Sequence, residues 1–511
     1  MGSFIRKKKD GDNEYFYEVT TTYDPSIKRS RQKVKYLGKN IDGKPSRVRL
    51  CHPKTCFNYG ELLPALNIMK ELGVEDILQG LLNEKDSMAV QALALNRVLK
   101  PVPALMLESW YESSILCKMH PGLRLKSQHI SELLERLGSD DVPDRFMDRW
   151  TRAHGNGAAL VFDITSLSSH STQISLLEYG YNREHNTLEQ VNLGMVVDQK
   201  TGLPLMYDLY PGSIVDVLTL VNTLKRIRTR GITEYSLVLD RGFFSKGNIR
   251  ELVREKASFI IPGSHTLKSV KELISTCRDI RNPVYLEKYN DKTIYVKPVK
   301  LEIDEVTLNG FLYYSPTREQ DEKECFMSRL YDMRTRLQEK ELQSWMNPQD
   351  TFESITGSLQ PFFSYKVREN RFIVEIKNNA VAQRLNKMGR FLLLYHGAAP
   401  AWDECLAMYR EKDLVEKAFK TIKSDVRLKP LNVKKTETLK GLLFTCFLAL
   451  SIRMRLLRLM KENGLLKEYT VESMLFELEK LKKIELENGE MIMTEPTKKV
   501  KEILKTLNLE P

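Results

Sequence analysis

Cysteine is scarce. Seven in 511 residues, odd in number and mostly isolated, exclude a disulfide-stapled scaffold and fit a reducing compartment, so a cytoplasmic location is expected. The one cluster, Cys51, His52 and Cys56, lacks the second pair of ligands that a tetrahedral zinc site needs. Long apolar runs are missing too. The most apolar stretch, GLLFTCFLALSI at 441–452, falls short of the roughly 20 residues that span a bilayer; it reads as a core helix, and no membrane role is expected. The opening MGSFIRKKKDGDN has bases with no apolar stretch behind them, unlike a secretory signal. No internal repeat or low-complexity tract is visible.

What is present in excess is positive charge. The formal net charge is +12, which suggests a polyanionic partner without choosing between nucleic acid and acidic lipid. Residues 1–50 hold thirteen Lys or Arg against six Asp or Glu, and so more than half of the surplus. There the bases interleave with Tyr15, Phe16, Tyr17 and Tyr36, a pattern that favours nucleic-acid contact over a merely solvated face. No strongly basic amphipathic helix with an aromatic apolar face stands out for a membrane surface.

At this length about three domains are expected. Residues 1–56 read as a small basic β-rich unit: EYFYEVTTTY is aromatic and β-branched, and IDGKP is a turn. From 57 to 155 the apolar period becomes helical, as in ELLPALNIMKELG and HISELLERLG. From 156 to 263 strands come first, in GAALVFDITSL, VNLGMVVDQ and LPLMYDLYP, and then helix alternates with strand through YSLVLD, KGNIRELVREK and SFIIP. That order predicts an α/β fold, a mixed sheet with helices packed on it. Residues 264–388 are too long for a structureless loop and read as a β-rich insertion subdomain. Residues 389–455, with RFLLLYHG as a strand and WDECLAMYREKDLVEKAFKTIK as one long helix, return to the core, and 456–511 read as helical.

Two aspartates end apolar strands, Asp163 in LVFDITS and Asp240 in LVLDRGFFS. Strand carboxyl ends are where sheet proteins hold ligands, although either aspartate alone reads equally well as a turn cap. On neighbouring strands the two would repel unless they shared a proton or a cation. Oxygen ligands suit Mg²⁺, and a third carboxylate would complete a two-metal site for phosphoryl displacement. YREKDLVEKAFKTIK at 409–423 offers Glu411, Asp413 and Glu416. On one continuous helix at about 100° per residue, Tyr409 and Lys423 fall within about 20° of Glu416, and Lys412 and Lys420 within about 40°. Met408, Val415, Phe419 and Ile422 form an apolar stripe about 100° away; Glu411 lies beyond that stripe and Asp413 on the flank. A solvated helix face also carries Glu and Lys at such spacings, but a metal-bound phosphodiester needs neighbouring groups to position its phosphates.

The spacing Tyr409, Lys412, Glu416, Lys423 resembles the Y-R-E-K signature of the insertion-sequence transposases of group four. FDITS, TGLPLMYDLYPGSIVD and LDRGFFS are similar to that family's two acidic motifs, and the layout resembles its 1634-like branch. The resemblance covers roughly 157–450. It implies a ribonuclease-H-like core and a catalytic triad of Asp163, Asp240 and Glu416 that holds two Mg²⁺ or Mn²⁺ ions, with Asp163 bridging both. Tyr409, Lys412, Lys420, Lys423 and Arg241 would contact DNA, and 57–155 would be a DNA-binding domain. Further phosphate contacts would come from basic segments near 28–49, 412–435 and 452–458. Implied partners are the element's terminal inverted repeats, target DNA and a second copy of the chain in a nucleoid-associated synapse. One departure stands out: the signature arginine is Lys412, which cannot bind phosphate bidentately. Some relatives use a tryptophan beside a flipped base, and the insertion offers only Trp345.

Overall fold

The structure, a computed structural model, describes residues 2–510 apart from 12, 26–27, 42, 47–51, 156–158, 181–187, 215 and 265–266. The expectation of a zinc-free Cys51 cluster falls in part on these, since Cys51 lies outside the described residues.

Nine strands make one large mixed sheet. In chain order they are β1 (Ala159–Ser168), β2 (Gln190–Asp198), β3 (Pro204–Pro211), β4 (Ser236–Leu239), β5 (Ser258–Pro262), β6 (Leu286–Tyr289), β7 (Lys292–Ile303), β8 (Val306–Tyr314) and β9 (Arg390–His396). Across the sheet they run β6-β7-β8-β9-β5-β4-β1-β2-β3. β1, β2 and β3 form an antiparallel meander, whereas β4 lies parallel to both β1 and β5. Parallel neighbours need crossovers, which helices α1 (Asp216–Thr229) and α2 (Lys246–Arg254) supply. Ser245 caps α2 by accepting from the Asn248 amide. Strands covered on both faces read as nearly unbroken apolar runs; in β4, Leu237, Val238 and Leu239 are all fully buried.

The helical region before β1 packs around α5 (Thr436–Glu462). The 441–452 run is buried along its whole length within α5, as a core helix should be. Ser127–Ser139 crosses it with backbones nearly touching. A Cβ at Gly138 would lie 1.8 Å from the Glu437 carbonyl oxygen, and one at Gly441 would lie 2.0 Å from that of Leu134. Trp150, fully buried, ties Val142–His154 to β3 by donating its indole N–H to the Pro204 carbonyl at 2.9 Å.

Residues 264–388 divide in two. β6, β7 and β8 join the main sheet through β9, while the helices Pro316–Glu339 and Pro348–Thr356, with the hairpin Phe363–Arg368 and Arg371–Ile376, close around a separate core that includes Phe326, Leu330, Phe352, Phe363 and Phe372. At the ends of the chain, Gly2–Asp10, Asn13–Asp24, Arg29–Ile41 and Lys44–Ser46 form their own four-stranded sheet. Pro53–Asn58, however, pairs with Lys482–Leu486 of the C-terminal region, which also pairs with Met491–Met493. The stretch read as helical from 456 thus carries a hairpin. Among the described residues no helix is long and apolar enough to cross a membrane.

Candidate active site

Asp163 sits inside β1 and is 5% exposed; its Oδ1 accepts from the Ile164 amide at 2.8 Å. In the parallel β1–β4 pair, Phe162 stands opposite Leu239. Asp240, the first residue beyond β4, therefore stands level with Asp163, which lies midway along β1 and not at the strand end expected from the sequence; adjacent strands are about 4.8 Å apart. Asp240 begins the short turn Arg241–Phe243 but makes no side-chain capping bond there, so the turn-cap role does not account for it.

The long helix expected over 402–423 is jointed. α3 (Trp402–Arg410) ends and α4 (Asp413–Lys420) begins across a tight turn, in which the amides of Lys412, Leu414 and Val415 bond three residues back. Such a tighter turn shifts side chains from strict α-helical angles. Even so, Glu416 and Lys412 stay together. The Lys412 ammonium lies 3.0 Å from Asp240 Oδ1 and 3.2 Å from Glu416 Oε1, and 5.7 Å from the Tyr409 ring centre. One lysine thus ties the strand carboxylate to the helix carboxylate. Burial alone would lower the Lys412 ammonium, but its bond to Asp240, with Tyr409 and Glu416 beside it, holds it well above the ordinary lysine value. Tyr409 is pushed up, first by burial, against the pull of Lys412.

α4 lies against β1 through Val415, Ala418 and Phe419, and Ile422 in the wider turn Thr421–Asp425 continues the stripe. Lys423 on that turn donates to Thr165 Oγ1 at 2.6 Å and to the Ser166 carbonyl at 3.0 Å, two and three residues beyond Asp163. Lys412 and Lys423 therefore bond to protein groups at the strand ends. Lys420 is exposed and makes no ion pair among the described residues, and Glu411 and Asp413 are also exposed. Among the described residues no group of three or more His, Cys, Asp or Glu is close enough to hold a metal ion.

Beside the carboxylates opens a cavity of about 750 Å³, lined in part by Asp240, Arg241, Arg318, Arg390, Tyr409 and Lys412. It shares its three arginines with a second cavity, of about 600 Å³, to which Lys271, Arg329, Arg384 and Lys387 add further charge against Asp321 and Glu322. Arg241, Lys271, Arg329, Arg384 and Lys387 have no carboxylate partner among the described residues. Arg318 lies over the Phe391 ring at 4.9 Å and bonds Glu322 at 2.8 Å. Apart from Arg241, the sequence reading missed this trough, which gathers distant segments. One signal was available: Arg318 and Arg329 are eleven residues apart, which returns them to the same helix face within about 20°. Trp345, 77% exposed, lines neither cavity.

The DDE transposase domain model matches residues 155–452, from just before β1 to within α5 and over more than half of the chain. The chain belongs to the DDE transposase family. Members of that family use divalent metal ions. No curated protein matches the sequence. Among solved structures, a piggyBac transposase synaptic complex with hairpin DNA is 11% identical, with 83% of this chain and 82% of that one covered and a TM-score of 0.39. A Drosophila P element transposase strand transfer complex is 13% identical, with 75% and 81% covered and a TM-score of 0.19. At those scores neither likeness adds weight to the family match.

Proposed function

We propose that this transposase binds the ends of an insertion sequence, hydrolyses the phosphodiester there with Mg²⁺ or Mn²⁺, and joins the freed 3′-hydroxyls to target DNA. The finer placement we propose is group four, 1634-like branch, with a ribonuclease-H-like core. The antiparallel β3-β2-β1 meander followed by parallel β4 and β5 supports that core. The observation that carries the reading is the parallel pairing that sets Asp163 beside Asp240, with Lys412 linking Asp240 to Glu416.

The donor chemistry suits a hard divalent cation, since all three side chains offer carboxylate oxygens and Asp240 and Glu416 already share one cationic group. The three do not stand close enough together here to hold an ion, so binding would have to draw them in. Asp163, Asp240 and Glu416 would hold two ions. The chemistry that such ions supply when bound is activation of a water and stabilisation of the attacking and leaving oxygens. The chain's own residues position the substrate. Lys412 can turn from Asp240 to a phosphate oxygen, Tyr409 walls the site, and Lys423 fixes α4 against the end of β1. Arg241, Lys271, Arg329, Arg384 and Lys387, cations without acid partners, would carry the strand's phosphates away from the cleaved position. Lys420, exposed on the same helix, would reach flanking phosphate. The synapse would hold two copies of the chain.

The test uses labelled element ends. Asp163→Asn, Asp240→Asn and Glu416→Gln should each abolish Mg²⁺-dependent nicking while end binding stays within about twofold to threefold. Two variants that still nick at the wild-type rate would refute the triad. Pre-nicked ends should be joined to target DNA; cleavage without joining would make the protein a nuclease instead.

A further inference from the structure

The four-stranded N-terminal sheet shares no residue with the carboxylate site, so what it does can be judged apart from the reading above. Residues opposed on antiparallel strands project to one face, and successive residues alternate. The register sets Phe4 opposite Val19 and Val34, Arg6 opposite Tyr17 and Tyr36, and Lys8 opposite Tyr15 and Lys39, which defines one face. Lys7 with Phe16, Lys9 with Glu14, and Ile5 with Glu18 and Lys35 define the other.

Carboxylates divide unequally between the two, although the second face also holds more bases, Lys7, Lys9, Arg29, Arg31, Lys33 and Lys35. Glu14, Glu18 and Asp24 all fall on the second face, where Lys7 pairs with Glu14 at 3.6 Å and Arg31 with Asp24 at 3.4 Å. The first face carries Arg6, Lys8 and Lys39 and, among the described residues, no carboxylate except Asp10 at the hairpin. It also carries the aromatics. Phe4 is 48% exposed, Tyr23 60% and Tyr36 44%, and Tyr15 and Tyr17 lean on Tyr36 with ring centres 6.3 and 5.4 Å away. Val19 is buried between Phe4 and Val34.

A face whose cations meet a carboxylate only at the hairpin attracts phosphates of any nucleic acid, duplex or not. Exposed rings add a choice, because a duplex hides its base faces in the stack and an unpaired strand offers them. We propose that this face binds an unpaired DNA strand, with phosphates on Arg6, Lys8 and Lys39 and bases against Phe4, Tyr36 and Tyr23.

The experiment measures fluorescence anisotropy of the full chain with a labelled oligothymidine and with a duplex of equal length. Phe4→Ala combined with Tyr36→Ala, both exposed and so tolerable to the fold, should weaken single-strand binding about tenfold or more and duplex binding less than twofold. Lys33→Ala with Lys35→Ala, on the opposite face, should cost single-strand binding no more than about twofold. A strand carrying iodouracil should cross-link to Phe4, Tyr23 or Tyr36. The proposal is overturned if the aromatic double variant, melting like wild type, binds the single strand unchanged or loses duplex and single strand equally. Cross-links confined to the carboxylate cleft would also overturn it.

Discussion

Lys412 sits where a metal-binding site would least want a fixed cation, and its removal has a calculable effect. Unit charges 3.0 Å apart attract by roughly 5 kcal/mol at an effective dielectric of about 20. The Lys412 and Asp240 side chains are 22% and 32% exposed, and solvent screening brings the net attraction down to about 1–2 kcal/mol. A divalent ion entering between Asp240 and Glu416 must displace the ammonium, so its binding is opposed by that amount, a factor of about five to thirty. Lys412→Met should therefore bind Mn²⁺ about five- to thirtyfold more tightly in the absence of DNA, as read by isothermal titration calorimetry. Lys420→Met is the control: it removes a cation from the same helix that touches neither carboxylate, and it should shift the affinity less than twofold. Cleavage should move the opposite way in Lys412→Met, which loses the proposed phosphate contact, and should be kept or improved in Lys412→Arg, whose fork can bind phosphate bidentately. Unchanged or weaker Mn²⁺ binding in Lys412→Met, or an equal shift in Lys420→Met, would refute the reasoning.

Other expectations follow from burial and packing. Glu61 is 4% exposed, and burial, helped by Glu479, raises its carboxyl from 4.5 to about 7. The folded state then holds this proton more tightly than the unfolded chain, so the contribution of Glu61 to stability is fully present below about pH 4.5 and is lost as pH rises through about 7. Glu61→Gln should flatten that dependence and exceed wild type by about 2–3 kcal/mol at pH 8 in denaturant titrations; an unchanged pH profile would remove Glu61 as its source. Gly138→Ala and Gly441→Ala each put a Cβ into a carbonyl of the facing helix and should cost about 3 kcal/mol or more in the same assay. Arg329→Ala with Arg384→Ala should lower the salt dependence of end binding by about two phosphate contacts, a slope change of roughly 1.8; an unaltered slope would place the DNA elsewhere.

The sheet's central strands were legible because they are apolar runs, from LVFDITS to RFLLLYHG, and Asp163 and Asp240 stood out as acids following apolar residues, although Asp163 proves to lie midway along its strand. Glu416 was legible from its helix face. The joint at 411–412 was not, since no proline or glycine marks it and its turn is made by backbone bonds among ordinary helix formers. The helical angles kept Lys412 on the line of Glu416 but gave no hint that its ammonium would reach across to Asp240, because that contact spans 172 positions in the chain. Long-range pairing hid two further features. Pro53–Asn58 finds its partner at Lys482–Leu486, and the strands of the insertion join the main sheet through β9, which lies beyond the helical unit in sequence. The trough was hidden for the same reason: Lys271, Arg329, Arg384 and Arg390 meet only after folding.

The central claim is that Asp163, Asp240 and Glu416 form a single cation site, and metal-directed backbone cleavage tests it most directly. With Fe²⁺ in place of Mg²⁺, and ascorbate with peroxide, the radicals formed at the bound ion should cut the chain near 163, 240 and 416 together, and excess Mg²⁺ should suppress all three cuts. Asp163→Asn should remove all three as well. Cuts clustered elsewhere, or a cut at one of these positions that survives loss of the other two, would contradict the account.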